Sequence, residues 1–288
     1  MNHTEEKTDN QKTAIIVDSC CDVPQDVIKE LGLFELPVHI MYDKEDYLDG
    51  ITIEAKTIYD RFPDEIPTTS MPSFAEIDDV FTEIENKGYK NVIAICMSDH
   101  LSNTIQNVHT VANEHEKLRT FIFNTKNISV GSGIFGIWAA RKLRDGWTFE
   151  QITEGLENKR YDSHLLFYMD TLKYLHKGGR IGNVSYLLGS TLGIRPIISC
   201  DHDGVYYTPA KIRGRKNSKS KILDMLKTDK PCWIIMAEGY APGELTLLND
   251  MVKEAMPQAE ILFTKQINPS LAVHTGPGLL GMVVLENP

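Results

Sequence analysis

Neither G-x-x-x-x-G-K-S/T, nor H-E-x-x-H, nor G-x-S-x-G stands anywhere in this chain. The first absence leaves a Walker-type nucleotide site without support. The second removes the zinc-protease helix and the third the nucleophile elbow of the α/β hydrolases. No apolar run reaches the ~18 residues of a membrane span, so no integral membrane segment is expected. Cysteine is scarce. Cys20, Cys21, Cys96, Cys200 and Cys232 are odd in number and form no C-x-x-C, which argues against a disulfide framework and fits a reducing cytoplasm. The adjacent Cys20-Cys21 pair would be redox-active only in an environment that lowers a thiol pKa. Basic residues are in deficit, 30 Lys+Arg against 40 Asp+Glu for a net charge of -10. That balance argues against nucleic acid or an anionic membrane as the main partner. The charge reads as spread along the chain, a solvated surface. Residues 1–13 are polar, have no apolar h-region, and read as a disordered tail rather than a signal peptide.

What is present is an ordinary globular composition, 42% hydrophobic and 24% charged, long enough for one large domain or two modest ones. The first half alternates short apolar runs with amphipathic patterns. Strands are expected at 14–17, 36–42, 47–53, 91–97, 119–124 and 165–169. Helices are expected at 24–31, 55–62, 74–87, 104–115, 134–143 and 149–161. Strands separated by helices imply parallel crossovers with helices on both faces of a sheet. The second half changes character: helices at 172–176, 184–192, 218–227 and 243–256, and strands at 195–200, 205–213, 232–237, 260–267 and 279–285. Asp201 to Gly204 gives a hairpin signal, and the pattern suggests a mixed or largely antiparallel sheet. The expected fold class is α/β and two-lobed: an N-terminal mostly parallel sheet flanked by helices over 14–165, and a C-terminal mixed sheet with helices over 166–288.

Small polar loops set apart in sequence look built to meet around one anionic ligand: Asp18-Ser19, Thr69 to Ser73, Leu101 to Thr104, Gly178 to Ile181 and His274 to Gly278. Ser102 follows an apolar strand and reads equally as a helix cap or a ligand contact. His274, among glycines and a proline, reads as a ligand group or as a loop-structuring residue. Arg180 after two glycines can reach a carboxylate or phosphate with two parallel hydrogen bonds, or can complement a helix C-terminus. Arg213 can act likewise or face a partner protein. Gly131-Ser132-Gly133-Ile134-Phe135-Gly136 matches G-x-G-x-x-G, but a loop separates it from the preceding strand, so tight helix packing or a turn is the preferred reading over a dinucleotide site. Histidines are scattered, and no metal site is expected.

At these loops the chain closely resembles the DegV family, whose better-understood members are bacterial fatty-acid-binding proteins of the FakB type. The resemblance rests on Val17-Asp18-Ser19, Thr69 to Ser73, Leu101 to Thr104, Tyr174 to Ile181, Arg195-Pro196-Ile197 with the Asp203-Gly204 turn, and His274 to Gly278. It implies a protein that buries a long-chain fatty acid between its lobes and presents the carboxylate to a separate ATP-dependent fatty acid kinase, whose acyl-phosphate product feeds phospholipid synthesis. On this resemblance Thr69 and Ser102 hydrogen-bond the carboxylate, and His274 and Arg180 complete the polar network at the tunnel mouth. Backbone amides near Ser70 and Asn103 help. The carrier itself is not the catalyst, and no cofactor is implied. Asn103 stands where the family usually has glycine, Met71 where it has glutamine, and Cys20 where it has threonine. Asparagine tolerates a left-handed backbone, which would preserve the turn. Two rival readings stand beside this one: an enzyme acting on an acyl or phosphate substrate through Ser102 or His274, and a lipid-responsive regulatory protein.

Overall fold

The structure, a computed structural model, describes residues 12–187 and 194–288. The chain opens with β1 (Thr13–Asp18), α1 (Gln25–Leu31), β2 (Phe34–Leu36), β3 (His39–Tyr42), β4 (Glu45–Leu48), α2 (Ala55–Arg61) and β5 (Thr68–Ser70). It continues through α3 (Phe74–Asn86), β6 (Asn91–Cys96), α4 (Thr104–Ala112), β7 (Arg119–Asn124), α5 (Val130–Arg144) and α6 (Phe149–Lys159). The second half runs β8 (Ser163–Tyr168), α7 (Lys173–Lys177), β9 (Ile194–Cys200), β10 (Tyr206–Arg213) and α8 (Ser218–Leu226). It closes with β11 (Cys232–Gly239), α9 (Pro242–Ala255), β12 (Glu260–Gln266), α10 (Pro269–Thr275) and β13 (Leu279–Glu286).

Three sheets form. The first, in the order β2-β1-β6-β7, is parallel throughout. The second, β10-β9-β8-β13-β11-β12, is antiparallel except where β12 runs beside β11. The third is a small antiparallel sheet, β4-β3-β5. The α/β class, the parallel first sheet and the mixed second one agree with the sequence pattern.

The two large sheets face one another across a layer of helix. The inner residues of the first (Ile15, Val17, Ile93, Ile95, Phe123) and of the second (Leu165, Phe167, Ile235, Val283, Leu285) belong to one buried cluster with Ile134, Phe135, Ile137 and Trp138 of α5. The outer face of the first sheet is covered by α3 and α4, that of the second by α8 and α9. α5 explains the glycine pattern of its first turns. A Cβ on Gly133 would lie 2.1 Å from the Cys21 carbonyl oxygen, and one on Gly136 would lie 2.7 Å from Val17 Cγ1. These glycines let α5 approach the β1 end closely, which is the packing role and not a phosphate cradle.

Several local expectations are corrected. The run 36–42 is not one strand. Pro37 has no amide proton to donate and fixes its own φ; the chain breaks there, and β2 joins the first sheet while β3 joins the third. Thr69 and Ser70, expected in the loop 69–73, form β5 together with Thr68. His274 and Thr275, expected in the loop 274–278, close α10, which has Asn268 before it and Pro269 in its first turn, where a missing amide proton leaves no bond unmade. Leu172 holds the N-cap position of α7, and Asp170 before it accepts hydrogen bonds from Tyr168 and Arg215. Of the helix expected at 184–192, Gly182–Leu187 is a 3-10 turn and the rest lies outside the described residues. Residues 1–11 of the expected tail also lie outside them, and Thr13 opens β1. Among the described residues no helix is long and apolar enough to cross a membrane.

Candidate functional site

Four separate chain segments converge where the first sheet's carboxyl ends meet the second lobe. Thr69 sits mid-strand in β5, opposite Ile40. Alternation along the strand turns Thr69 inward while Thr68 and Ser70 stay exposed. The turn after β6 is pinned from two sides. Asp18 accepts from the Met97 amide at 2.9 Å, and the Ser98 amide donates to Asn127 O at 2.8 Å. The Leu101 and Ser102 amides then both donate to Ser98 O, which closes the turn that presents Ser102.

His274 lies in the last turn of α10. That helix is tied to the N-terminal lobe at its start: Asp49 accepts from the Ser270 amide at 2.8 Å and from its hydroxyl at 2.5 Å. Asn268 donates to Ser19 O at 2.8 Å and accepts from Lys265, which also pairs with the buried Asp22. Ser19, whose hydroxyl accepts from the Val38 amide, is thus a tie beneath the site, not part of its lining.

The remaining member, Arg180, follows α7. Gly179 takes a left-handed φ of 71°, which folds the chain back so that the Arg180 amide donates to Leu175 O at 3.0 Å. The guanidinium donates to Leu101 O at 3.3 Å and to Gly178 O at 2.8 Å, and its other N–H groups stay uncommitted to these carbonyls. Gly178 allows close approach of another kind. A Cβ there would meet His274 Nδ1 at 2.2 Å, so the imidazole rests flat against the glycine.

The geometry at the centre is a cross-lobe hydrogen bond. Thr69 Oγ1 and His274 Nε2 are 2.8 Å apart. His274 Nδ1 is buried and has no hydrogen-bond partner among the described residues. Burial, and then the neighbouring Arg180 charge, hold the His274 pKa down at about 4, so the ring is neutral at pH 7. Ser102 Oγ pairs with Thr104 Oγ1 at 2.8 Å and accepts from the Thr104 amide at 3.2 Å. Asn103 holds the N-cap position of α4, so Ser102 braces the first helical residue from the turn before it and also lines the cavity.

Thr69, Ser102, Arg180 and His274 line one cavity of about 50 Å³ together with Cys20, Met97, Leu101 and Leu175. Ser70 and Asn103 are exposed and stand outside that lining. Asn103 has φ -83° and ψ 9°, so the turn does not require a left-handed residue there. A second, apolar cavity of about 30 Å³ lies deeper, between the sheets, walled by Leu165, Phe167, Ala237, Ile267, Leu279 and Gly281. Ile128, Tyr206, Leu271 and Thr275 line both cavities. The two cavities are therefore adjacent, and these four side chains form the wall between them. Sequence reading missed this wall. Its only advance signal was alternation in β10, which sends Tyr206 inward and leaves Tyr207 exposed. Cys20 belongs to the chamber, but its thiol is unlike a redox-active one: burial pushes the pKa of both Cys20 and Cys21 well above the ordinary thiol range.

The depressed His274 pKa has a sign that can be measured. Between pH 6.5 and about 4 the unfolded chain binds a proton at this position that the folded protein refuses. Stability is therefore lost as pH falls through that window, by up to about 3 kcal/mol from this group. Buried Asp18 and Asp49, raised to about 6, act in the opposite sense and favour the folded state as pH falls. They are common to a His274→Gln variant, so they cancel in the comparison. Urea unfolding at pH 7 and pH 4.5 is expected to show a smaller acid loss in His274→Gln than in the native protein. Equal losses would mean the imidazole is not buried neutral.

A family model described as an uncharacterised protein of the DegV family matches residues 12–287. A DegV domain-containing protein of Clostridium acetobutylicum is 36% identical over 279 residues, which cover 96% of this chain and 99% of that protein. Among solved structures, a DegV family protein of Thermus thermophilus described by its fatty acid binding superposes with a TM-score of 0.88 at 25% identity, covering 96% of this chain and 99% of that one. A stearic-acid-binding protein of Eubacterium ventriosum gives a TM-score of 0.85 at 25% identity, over 95% and 98% of the two chains.

Proposed function

This chain belongs to the DegV family, and we propose that it binds a long-chain fatty acid in a tunnel between its lobes and presents the carboxylate to a fatty acid kinase. The observation that carries the reading is that a polar chamber lies directly against an apolar one, with Ile128, Tyr206, Leu271 and Thr275 as the wall between them. An acyl chain needs apolar surroundings, each buried methylene contributing about 0.8 kcal/mol. Its head needs donors and a positive charge, since a buried carboxylate without them protonates. The chamber has both. The relatives described as binding fatty acids support the same ligand class.

The hydrogen-bond directions follow from the acceptor nature of a carboxylate. With its proton on Nε2, His274 donates to Thr69 Oγ1, and the threonine hydroxyl proton is free to donate forward to the ligand. Ser102 donates from the opposite side, and Arg180 supplies the charge from the rim. The cavities are narrow, so seating a full chain requires rotamer changes at Leu271 and Ile128.

Presentation, and not catalysis, fits the pairing of the nucleophile candidates. Ser102 Oγ is bonded to Thr104, and His274 Nε2 to Thr69. A nucleophile-base pair would join the serine to the histidine. Docking of the kinase has a candidate surface as well. Charge is not evenly spread along the chain. Between Lys173 and Lys221 stand ten of the 30 Lys and Arg residues, with only Asp201 and Asp203 to oppose them. That stretch contains Arg180 at the mouth and the exposed Arg213 and Lys216, and it suits an acidic partner in the cytoplasm.

Native mass spectrometry of the purified protein, followed by denaturation and lipid analysis, tests the binding. One fatty acid per chain is expected, and a clean mass without lipid, unchanged after incubation with mixed fatty acids, would overturn the reading. For the kinase step, Arg213→Glu with Lys216→Glu is expected to lower acyl-phosphate formation by a bacterial fatty acid kinase and ATP about tenfold while leaving lipid content unchanged. Turnover of the bound acid without kinase would favour the enzyme reading instead.

A further inference from the structure

We infer that the facing pair Ala237 and Gly281 sets the length of acyl chain that this protein accepts. The inference rests on the fatty-acid reading above and adds to it two residues of the apolar cavity's wall. On the inner face of the second sheet, β11 and β13 pair Trp233 with Leu285, Ile235 with Val283, Ala237 with Gly281, and Gly239 with Leu279. The first two rows are filled by large side chains of the continuous core. At the last row the Tyr59 hydroxyl fills the space beside Gly239, 2.8 Å from where a Cβ would stand. At Gly281 the nearest atoms to an added Cβ, among the described residues, belong to Phe167 and Leu166 of the neighbouring strand and not to the other lobe. The Ala237–Gly281 row is the hollow, and both residues line the deep cavity.

The hollow is bounded along the sheet by Phe167 of β8, which pairs with Gly281 and would lie 3.2 Å from a Cβ there. Tyr206, whose ring centre lies 5.5 Å from that of Phe167 in an edge-on arrangement, stands on the side toward the polar chamber. On this inference a chain entering past Tyr206 and Leu271 with its carboxylate at Thr69 ends its path at two side chains that together amount to a single methyl group. In a cavity of about 30 Å³, one added methyl changes which chain fits. A hydrophobic pocket separates ligands that differ by one methylene about tenfold or more.

The test uses the full-length protein, delipidated and incubated with an equimolar mixture of lauric, myristic, palmitic and stearic acids, with the bound acids measured after denaturation. Ala237→Val and Gly281→Ala are expected to lower the ratio of the longest retained acid to the shorter ones about tenfold relative to the native protein. Gly281→Ala is the milder change and decides the matter if Ala237→Val fails to fold. Adding Phe167→Leu to either variant is expected to restore the longer acid, which a merely destabilised protein would not do. An unchanged ratio in folded, lipid-bound variants overturns the inference, and so does a uniform loss of all four acids. If the native protein retains none of the acids, the fatty-acid reading falls and this inference with it.

Discussion

A protein carrying Thr69→Ala together with Ser102→Ala is expected to purify folded and nearly free of lipid. In the proposed binding mode each hydroxyl donates to the ligand carboxylate, and a hydrogen bond to a charged group contributes roughly 1.5–3 kcal/mol. Removing both is expected to weaken binding by roughly a hundredfold to ten-thousandfold, with departures from additivity because the two donors would share one carboxylate. The fold should survive. Thr69 is half-buried in a three-residue strand held by its backbone. Ser102→Ala loses the bond its hydroxyl accepts from the Thr104 amide and its pairing with Thr104 Oγ1, both local to one turn, at a cost of roughly 1–2 kcal/mol. Lipid per chain by mass spectrometry, alongside a thermal melt, reads both quantities. A double variant that still carries one fatty acid per chain would show that the carboxylate is held elsewhere.

The second large effect comes from a residue that makes no polar contact with a ligand. Gly178→Ala is expected to reduce lipid retention at least about tenfold, the loss of roughly one charged hydrogen bond, with little change in secondary structure. Gly178 has φ -78°, which alanine adopts without strain. The obstacle is the His274 ring, whose Nδ1 would lie 2.2 Å and Cε1 2.7 Å from the new Cβ. The imidazole must move, and the Thr69–His274 bond breaks with it. Gly179→Ala makes the informative contrast. No atom lies near its added Cβ, but its φ of 71° costs an alanine about 1–2 kcal/mol. The neighbouring glycines thus separate a binding defect from a stability defect. Equal behaviour of the two variants, compared by chemical denaturation and lipid content, would mean that the His274 position is not what the first glycine protects.

Much of this architecture could be read from periodicity. Buried runs such as 91–96 and 232–239 and amphipathic stretches such as 74–86 each carry their own signal. Short elements do not. β5 has three residues, all Thr or Ser, and exists because β3 offers it a partner. α10 has seven residues, and the Asn268-Pro269 start that marks it is also a common turn. Pro37 divides an apolar run between two sheets, and hydrophobicity alone cannot register the division. At the site, Thr69, Ser102, Arg180 and His274 were found through loop composition and family resemblance. The apolar wall was not, because Ile128, Tyr206 and Leu271 differ from any other buried residue only in what they face.

The helix α5 touches strands of both large sheets, and one apolar cluster runs through all of them. The two lobes are therefore not hinged halves with a cleft between them. The proposed tunnel is a seam in a shared interior, and the side chains that would grip an acyl tail are the same ones that hold the lobes together. Opening the seam for lipid entry and loosening the protein are then neighbouring events on one energy surface. A bound acyl chain would act as an additional, removable piece of the core, and the loaded carrier would melt later than the empty one, in a single cooperative transition.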